Sequence, residues 1–337
     1  MSLLPVRAHH GLVAAAIYLA AATSGSAQNP DLMLSKAERD SILKNYHNVF
    51  PIWGRKAIEK GFDLPYPAGL GVNFVYASQN IDLTNLGLST GTNPVVPVDF
   101  IKFGETKAPV LTPNLRADLW VLPFLNVYAF GGVAWVTTDV EVAEPVPFTT
   151  RVEQSGYYAG LGGTATMGIK HNWLAFDLNT AWTKTEKLDE PVRARIFGIR
   201  LGRAQKLQGT QRVAIWLGAM KQTLKSTTNG SINLSEVIAG GGDGSDGGGF
   251  EDYEDSEWYQ GLPPAQRRVV DEIVKRLQGI DPSDVVVNYS LDKATADPWN
   301  MIAGASYDFS KTWAGRAETG FIGRKSVLLM LNYRFEW

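Results

Sequence analysis

Residues 325–337, KSVLLMLNYRFEW, alternate apolar and polar side chains and finish on an aromatic. At period two, Val327, Leu329, Leu331, Tyr333, Phe335 and Trp337 share one face, while Ser326, Leu328, Met330, Asn332, Arg334 and Glu336 share the other. One face is oily and the other largely wet. This is the row a strand needs when lipid lies on one side and a polar lumen on the other. It constrains the fold more than any other feature, because it specifies the solvent on both sides of a sheet.

The pattern resembles the closing strand of Gram-negative outer-membrane β-barrel proteins, which carries a terminal aromatic with apolar residues at alternate positions before it. The resemblance is to the barrel class and identifies no specific family. It implies an all-β fold, a transmembrane antiparallel up-and-down β-barrel. It also implies that Tyr333, Phe335 and Trp337 act as an assembly signal for the barrel-assembly machinery, with outer-membrane lipid and lipopolysaccharide as surroundings. A soluble β-protein whose last strand happens to alternate is the competing reading.

The other end agrees. Arg7 supplies a positive start, GLVAAAIYLAAA (11–22) an apolar run, and Gly25 and Ala27 the small residues of a cleavage site, so residues 1–27 read as a secretory signal peptide cut after Ala27. That run is too short for a comfortable membrane span, and no later stretch approaches the roughly 20 apolar residues a transmembrane helix needs. A membrane-integral chain of this kind crosses as strands closed into a barrel, the other way to satisfy every backbone group in lipid. The expected location is the bacterial outer membrane. The absence of cysteine excludes disulfides, thiolate metal sites and a lipidated N-terminal cysteine. A formal charge of -2 leaves no electrostatic footprint for nucleic acid.

From residue 69 onward, alternating segments fall into a rhythm of long and short links. GLGVNFVYA (69–77) is followed by a long polar stretch to Pro113. NLRADLWVL (114–122) meets LNVYAFGGVAWV (125–136) across Pro123 and Phe124, and a Pro/Glu-rich loop, 137–155, follows. The pairs 157–169 with 173–185, 192–204 with 211–225, and 298–309 with 312–322 each close over a short turn, and the closing strand completes about ten strands. If Val95–Phe103 pairs as strands, the count becomes twelve. With the C-terminus in the periplasm, every short turn falls on the periplasmic side and the long links outside. Trp299 and Phe309 share a face, and at ~3.3 Å per residue and ~40° of tilt they lie roughly 25 Å apart along the normal, the height of an apolar band.

The same alternation points Arg116, Asp118, Asp177, Asn179, Arg200, Arg212, Asp308, Arg316, Glu318, Asn332, Arg334 and Glu336 into the lumen. The set is mixed in sign. Barrels of about eight strands are just wide enough for side chains to fill, so ten strands leave a narrow bore that paired charges could plug. A selective constriction is the alternative. Catalysis finds little footing: His9 and His10 leave with the signal, His171 falls in a periplasmic turn and His47 precedes the barrel. Neither G-x-S-x-G nor H-E-x-x-H occurs.

Two segments lie outside the barrel. Residues 28–66 form a periplasmic arm in which Ser35 and Glu38 make a capping box ahead of a helix to about Tyr46. It packs under the barrel, plugs the lumen or docks a partner. The barrel, 67–337, carries a large extracellular insertion at 226–297. Within it, Gly241–Gly247 matches one G-G-x-G-x-D-x unit of calcium-binding rolls, and Asp243, Asp246, Glu251 and Asp252 offer the carboxylates of a divalent, Ca2+-type site. A solvated flexible loop is the competing reading, and no other cofactor is expected. A helix from Pro264 to Gly279 follows, with Val270, Ile273, Val274 and Leu277 on one stripe.

Three functional readings stand at this point. One is a non-enzymatic surface protein acting through its loops on envelope components or a ligand. The others are a narrow passive channel gated by 226–297, and an enzyme without a recognisable motif. No ligand is named by the sequence.

Overall fold

The computed structural model describes residues 33–90, 96–97, 102–144, 148–169, 171–185, 191–233 and 286–336, with positions 254, 257–264, 266–268 and 271 between the last two segments. The signal peptide, Trp337, the candidate divalent site and the stripe Val270, Ile273, Val274 and Leu277 lie outside the described residues.

The strands are β1 (Ala68–Thr90), β2 (Val96–Pro97), β3 (Lys102–Phe103), β4 (Lys107–Leu122), β5 (Leu125–Glu144), β6 (Phe148–Ile169), β7 (Asn172–Thr185), β8 (Val192–Lys206), β9 (Arg212–Asn233), β10 (Val286–Thr295), β11 (Trp299–Asp308), β12 (Trp313–Ile322) and β13 (Lys325–Phe335). The helices α1 (Lys36–Lys44), α2 (Gly54–Glu59) and α3 (Glu257–Gln260) are short. Ten strands form a closed antiparallel wall in the order β1, β4, β5, β6, β7, β8, β9, β11, β12, β13. Closure is explicit in the register of β1, whose Ala68 faces Leu119 of β4 on one side and Phe335 of β13 on the other.

Alternation in sequence becomes alternation in burial. Along β8, VRARIFGIRLGRAQK, every second residue from Val192 to Ala204 is buried, and β13 follows the same rule from Ser326 to Arg334. The outward set is apolar and bare: Leu70, Phe74, Leu161, Leu178, Leu201, Ile215, Leu217 and Leu329 are all exposed. The inward set holds the buried charges. A water-soluble protein does not spread so large an apolar surface around its girth, whereas lipid matches it. The chain is a closed β-barrel whose outward face is built for lipid. Trp135, Tyr157, Trp182 and Trp299 stand exposed toward the outer end, and Phe309, Trp313 and Tyr333 toward the short-turn end, as aromatic girdles do. Trp299 and Phe309 are both exposed at the two ends of β11, as their spacing predicts.

Two features differ from expectation. The Pro/Glu-rich stretch 137–155 is not a loop: β5 and β6 run on to pair Val142 with Phe148. Among the described residues, 96–97 and 102–103 pair as the two-residue β2 and β3 outside the wall, so the expected count of about ten strands stands. The expected insertion at 226–297 holds the end of β9 and the whole of β10. β10 pairs with β9 (Val287 with Ile232) and with β1 (Tyr289 with Leu88).

The reason for β10 is geometric. β11, β12 and β13 are short, while β1 and β9 continue past them and would leave bare edges; β10 spans the gap and satisfies both. The β12–β13 connection at Gly323 and Arg324 is correspondingly tight and lies beneath β10, since β1 pairs with β13 as far as Ser78 and with β10 from Ile81. Gly323 adopts φ +82°, a left-handed turn position.

On the arm, the capping box forms as predicted: Ser35 caps α1, with the Ser35 amide donating to Glu38 Oε2 at 2.8 Å. α1 ends at Lys44 rather than Tyr46. α2 carries no cap signal in the sequence, because its N-cap is Trp53 and no side chain bonds there.

Candidate functional site

The half of the bore nearer the short turns holds a lattice of ion pairs. Seven predicted lumen residues, Arg116, Asp118, Asp177, Arg200, Arg316, Glu318 and Arg334, are buried there. Glu318 is the hub. It accepts from Arg200 Nε at 2.9 Å and Nη2 at 3.0 Å, from Arg316 at 2.6 Å and from the Trp216 indole at 2.7 Å. Arg200 also pairs with Asp177, which accepts from Thr164 at 2.6 Å. A second group centres on Asp118, which pairs with Arg334 and accepts from Asn126 at 2.7 Å, while Asn126 accepts from Arg116 at 3.0 Å.

Tyr128 joins the two groups. The Arg116 guanidinium lies 3.6 Å from its ring centroid, and its hydroxyl donates to Asn179 at 2.5 Å. Gly162 of β6 makes room for this ring, because a Cβ there would run into Tyr128 and Asn179.

The remaining predicted lumen residues fall elsewhere. Arg212 sits at the short-turn mouth and pairs with Asp63 of the arm. Asp308 lines the same mouth, and Glu336 is exposed beyond the last strand and outside the lattice, because the strand has already left the wall there. Asn332 is buried and lines the mouth. Sequence reasoning missed Asp63, Asn126, Tyr128, Thr164 and Trp216. The strand parity that found the charges places the last four inward too; Asp63 lies on the arm, where no period applies.

Toward the outer end the bore changes character. Val75, Ile196, Met220, Ile302 and Leu328 are 0–1% exposed and belong to one contiguous apolar cluster that also takes in Val110, Phe130, Tyr158 and Leu224. The largely wet lumen expected is therefore mixed, these apolar residues standing beside buried Asn73, Asn114, Gln222 and Asn300. Leu328 and Met330, on the inward face of the closing strand, belong to this cluster, and Met330 also lines the cavity at the short-turn mouth. Above it, Arg324 is buried at the β12–β13 tip and donates to Gln222.

At the short-turn mouth, Trp120, Arg212, Trp216, Arg316, Asn332 and Arg334 line a cavity of about 60 Å³ under the arm, room for a few ordered waters. The arm is fastened across it by the Asp63–Arg212 pair, by Arg334 donating to the Tyr66 carbonyl at 2.8 Å, and by Lys206 to Glu38 at 3.1 Å. The Glu38 carboxyl is held down to about 2 by its hydrogen bonds with Ser35 and then by Lys206. Tyr333 and Phe335 of the predicted assembly signal stack at 6.1 Å between centroids, with Tyr333 on the lipid face. His47 and His171 are both exposed. Among the described residues, no group of three or more His, Asp or Glu side chains is arranged to hold a metal; the carboxylates Asp243, Asp246, Glu251 and Asp252 are outside them.

No family model and no curated protein matches the chain. Among solved structures, it is similar to the β domain of the Bordetella autotransporter BrkA, at 11% identity and TM-score 0.37 over 80% of this chain and 100% of that one. It is also similar to the outer membrane protein OprG from Pseudomonas aeruginosa, at 10% identity and TM-score 0.39 over 81% and 98%. A third likeness is to the translocator domain of the autotransporter NalP from Neisseria meningitidis, at 10% identity and TM-score 0.31 over 91% and 100%. At these levels of similarity no activity passes from them to this chain.

Proposed function

We propose that this outer-membrane barrel is a non-enzymatic, non-conducting scaffold that acts through the structure it displays outside the cell. The observation that carries the reading is the apolar cluster around Val75, Ile302 and Leu328, packed inward from strands on all sides of the wall above a lattice of paired charges. A passive pore needs a wetted path through both layers. The side chains instead fill the bore, as they do in small barrels.

The outer end supports the same reading. β1, β5, β6 and β9 have 23, 20, 22 and 22 residues, against 10, 10 and 11 for β11, β12 and β13. Spanning ~25 Å of apolar band takes about ten tilted residues, so the long strands spend about half their length above it. The wall rises into a crown, closed by β10 and carrying residues 234–285. Strand pairing that far beyond the membrane holds a rigid platform for binding an external ligand or envelope component.

Single-channel recording of the refolded protein in planar bilayers, with and without residues 234–285, tests this. Silence in both forms is expected. Discrete steps that appear or grow on deletion would make it a loop-gated channel and sink the scaffold reading.

A further inference from the structure

The periplasmic arm ends in an apolar tip. Val49 is 72% exposed, Trp53 56% and Ile52 46%. Trp53 holds φ +70°, a left-handed conformation that side-chain-bearing residues rarely adopt. It immediately precedes α2, whose Gly54, Ala57 and Ile58 are buried while Trp53 itself is exposed.

The position of this tip identifies what covers it. The Ile52 amide donates to the Val121 carbonyl at 2.8 Å, and the Trp120 amide to the Pro67 carbonyl at 2.9 Å. These two bonds extend the β4 edge past the start of β1, so the tip lies in the line of the barrel wall and not over the lumen. Val121 follows Leu119, which pairs with Ala68, which pairs with Phe335. Val121 is two residues nearer the short-turn end than Leu119, and with the stagger of the tilted strands this leaves the tip at the rim of the wall near the Phe335 level, which is headgroup depth. Phe124 is exposed at the adjacent β4–β5 turn, continuing the girdle of Phe309, Trp313 and Tyr333.

The charge is also suited to lipid. Just after the tip, Arg55, Lys56 and Lys60 are exposed, against Glu59, which pairs with Arg55 at 3.5 Å. An apolar tip with Trp at its end and basic residues immediately behind it is the arrangement by which a segment settles in a membrane interface.

We propose that Val49, Ile52 and Trp53 insert into the headgroup boundary of the periplasmic phospholipid leaflet, with Arg55, Lys56 and Lys60 set over the phosphates. The arm is then anchored at two places: to the barrel mouth through Asp63 and Arg212, and to lipid through the tip.

The chain has no cysteine, so single labels can be placed cleanly. Val49→Cys, Lys44→Cys on the exposed side of α1 and Leu329→Cys in the belt are each labelled with an environment-sensitive fluorophore. The full-length proteins are folded into phosphatidylethanolamine–phosphatidylglycerol vesicles whose acyl chains are brominated near the headgroup. The label at 49 is expected to emit to the blue of the label at 44 and to be quenched like the label at 329. Emission and quenching that track position 44 would overturn the proposal. So would a blue shift without quenching that rises with protein-to-lipid ratio, which means a second copy covers the tip, or one that needs added periplasmic extract, which means a soluble partner. Trp53→Cys, scored the same way, guards against a local effect of the first substitution, and heat-modifiable migration verifies the barrel in every variant.

Discussion

Arg200 and Glu318 stand 118 residues apart in sequence, three strands apart around the wall, and share a two-pronged ion pair at 2.9 and 3.0 Å in the interior of the barrel. Both side chains are at most 2% exposed. Neither has water to fall back on, so the pair is worth less for its attraction than for what its loss would strand. Glu318 has two protein donors besides, Arg316 and Trp216, and removing its charge leaves two guanidiniums, Arg200 and Arg316, buried side by side.

Glu318→Gln is therefore expected to cost about 3–5 kcal/mol, read as a lower urea midpoint for loss of heat-modifiable migration in bilayers. Arg200→Met with Glu318→Leu is not expected to recover that loss, because Asp177 then loses Arg200 and Arg316 loses Glu318. A Glu318→Gln barrel as stable as the parent would mean that the lattice is hydrated and contributes nothing as a pair.

What sequence makes legible here is whatever lipid enforces. The row from Val327 to Tyr333 and the Trp299–Phe309 spacing are dictated by a solvent of fixed thickness, and both are found as read. Parity also delivers the inward charges, but not their partners, since nothing local in the chain ties Arg200 to Glu318 or Asp63 to Arg212. Beyond the membrane the constraint lapses. There the extensions of β5 and β6 carry Asp and Glu and flank Pro145 and Pro147 in sequence, and β10 hides in a stretch that reads as loop, because its partners on β1 and β9 are what make it a strand. Leu328 and Met330 were legible as inward residues, but sequence could not tell a wetted lumen from an apolar one.

The solvent assignment predicts opposite responses on the two faces of one strand. Leu329→Arg, on the outward face of β13, is expected to cost about 2–4 kcal/mol in bilayers, whereas on a water-facing surface the same change is nearly neutral. Leu329→Ala costs little, since lipid refills the space. Leu328→Ala, one residue away and 1% exposed in the interior cluster, leaves a cavity and is expected to cost about 2–5 kcal/mol. Equilibrium unfolding of the three variants in the same lipid orders them, and equal costs for positions 328 and 329 to Ala would dissolve the distinction between faces.

The arm gives a pH dependence of known sign. The Glu38 carboxyl lies at about 2 in the folded arm, held down by Ser35 and Lys206, against an ordinary value near 4.5. A depressed carboxyl contributes stability that is fully present above its ordinary value and is lost as pH falls through the folded one. Amide exchange of residues 36–44, corrected for intrinsic rates, should lose protection between about pH 4.5 and 2 while the barrel strands do not. Glu38→Gln should lower protection at neutral pH and flatten the profile, and a parent profile already flat across that window would refute the cap's role in fastening the arm.

β10 offers the sharpest test of the outer wall, because it is a strand with partners on both sides that the ten-stranded barrel does not use for closure. Ser290 pairs with Asn229 of β9 and with Gly87 of β1. Whichever side its amide serves, Ser290→Pro removes that donor and a ladder bond with it. Closure below depends on β11 pairing with β9 from Lys221 to Arg212 and on β13 pairing with β1, neither of which involves β10. The variant should therefore still migrate as a heat-modifiable barrel, yet protease added to intact cells should cut within 286–295, where the parent resists. Loss of the folded barrel would mean that β10 is part of the closing wall and not a brace across its short strands, and unchanged resistance would mean that the crown holds together without it.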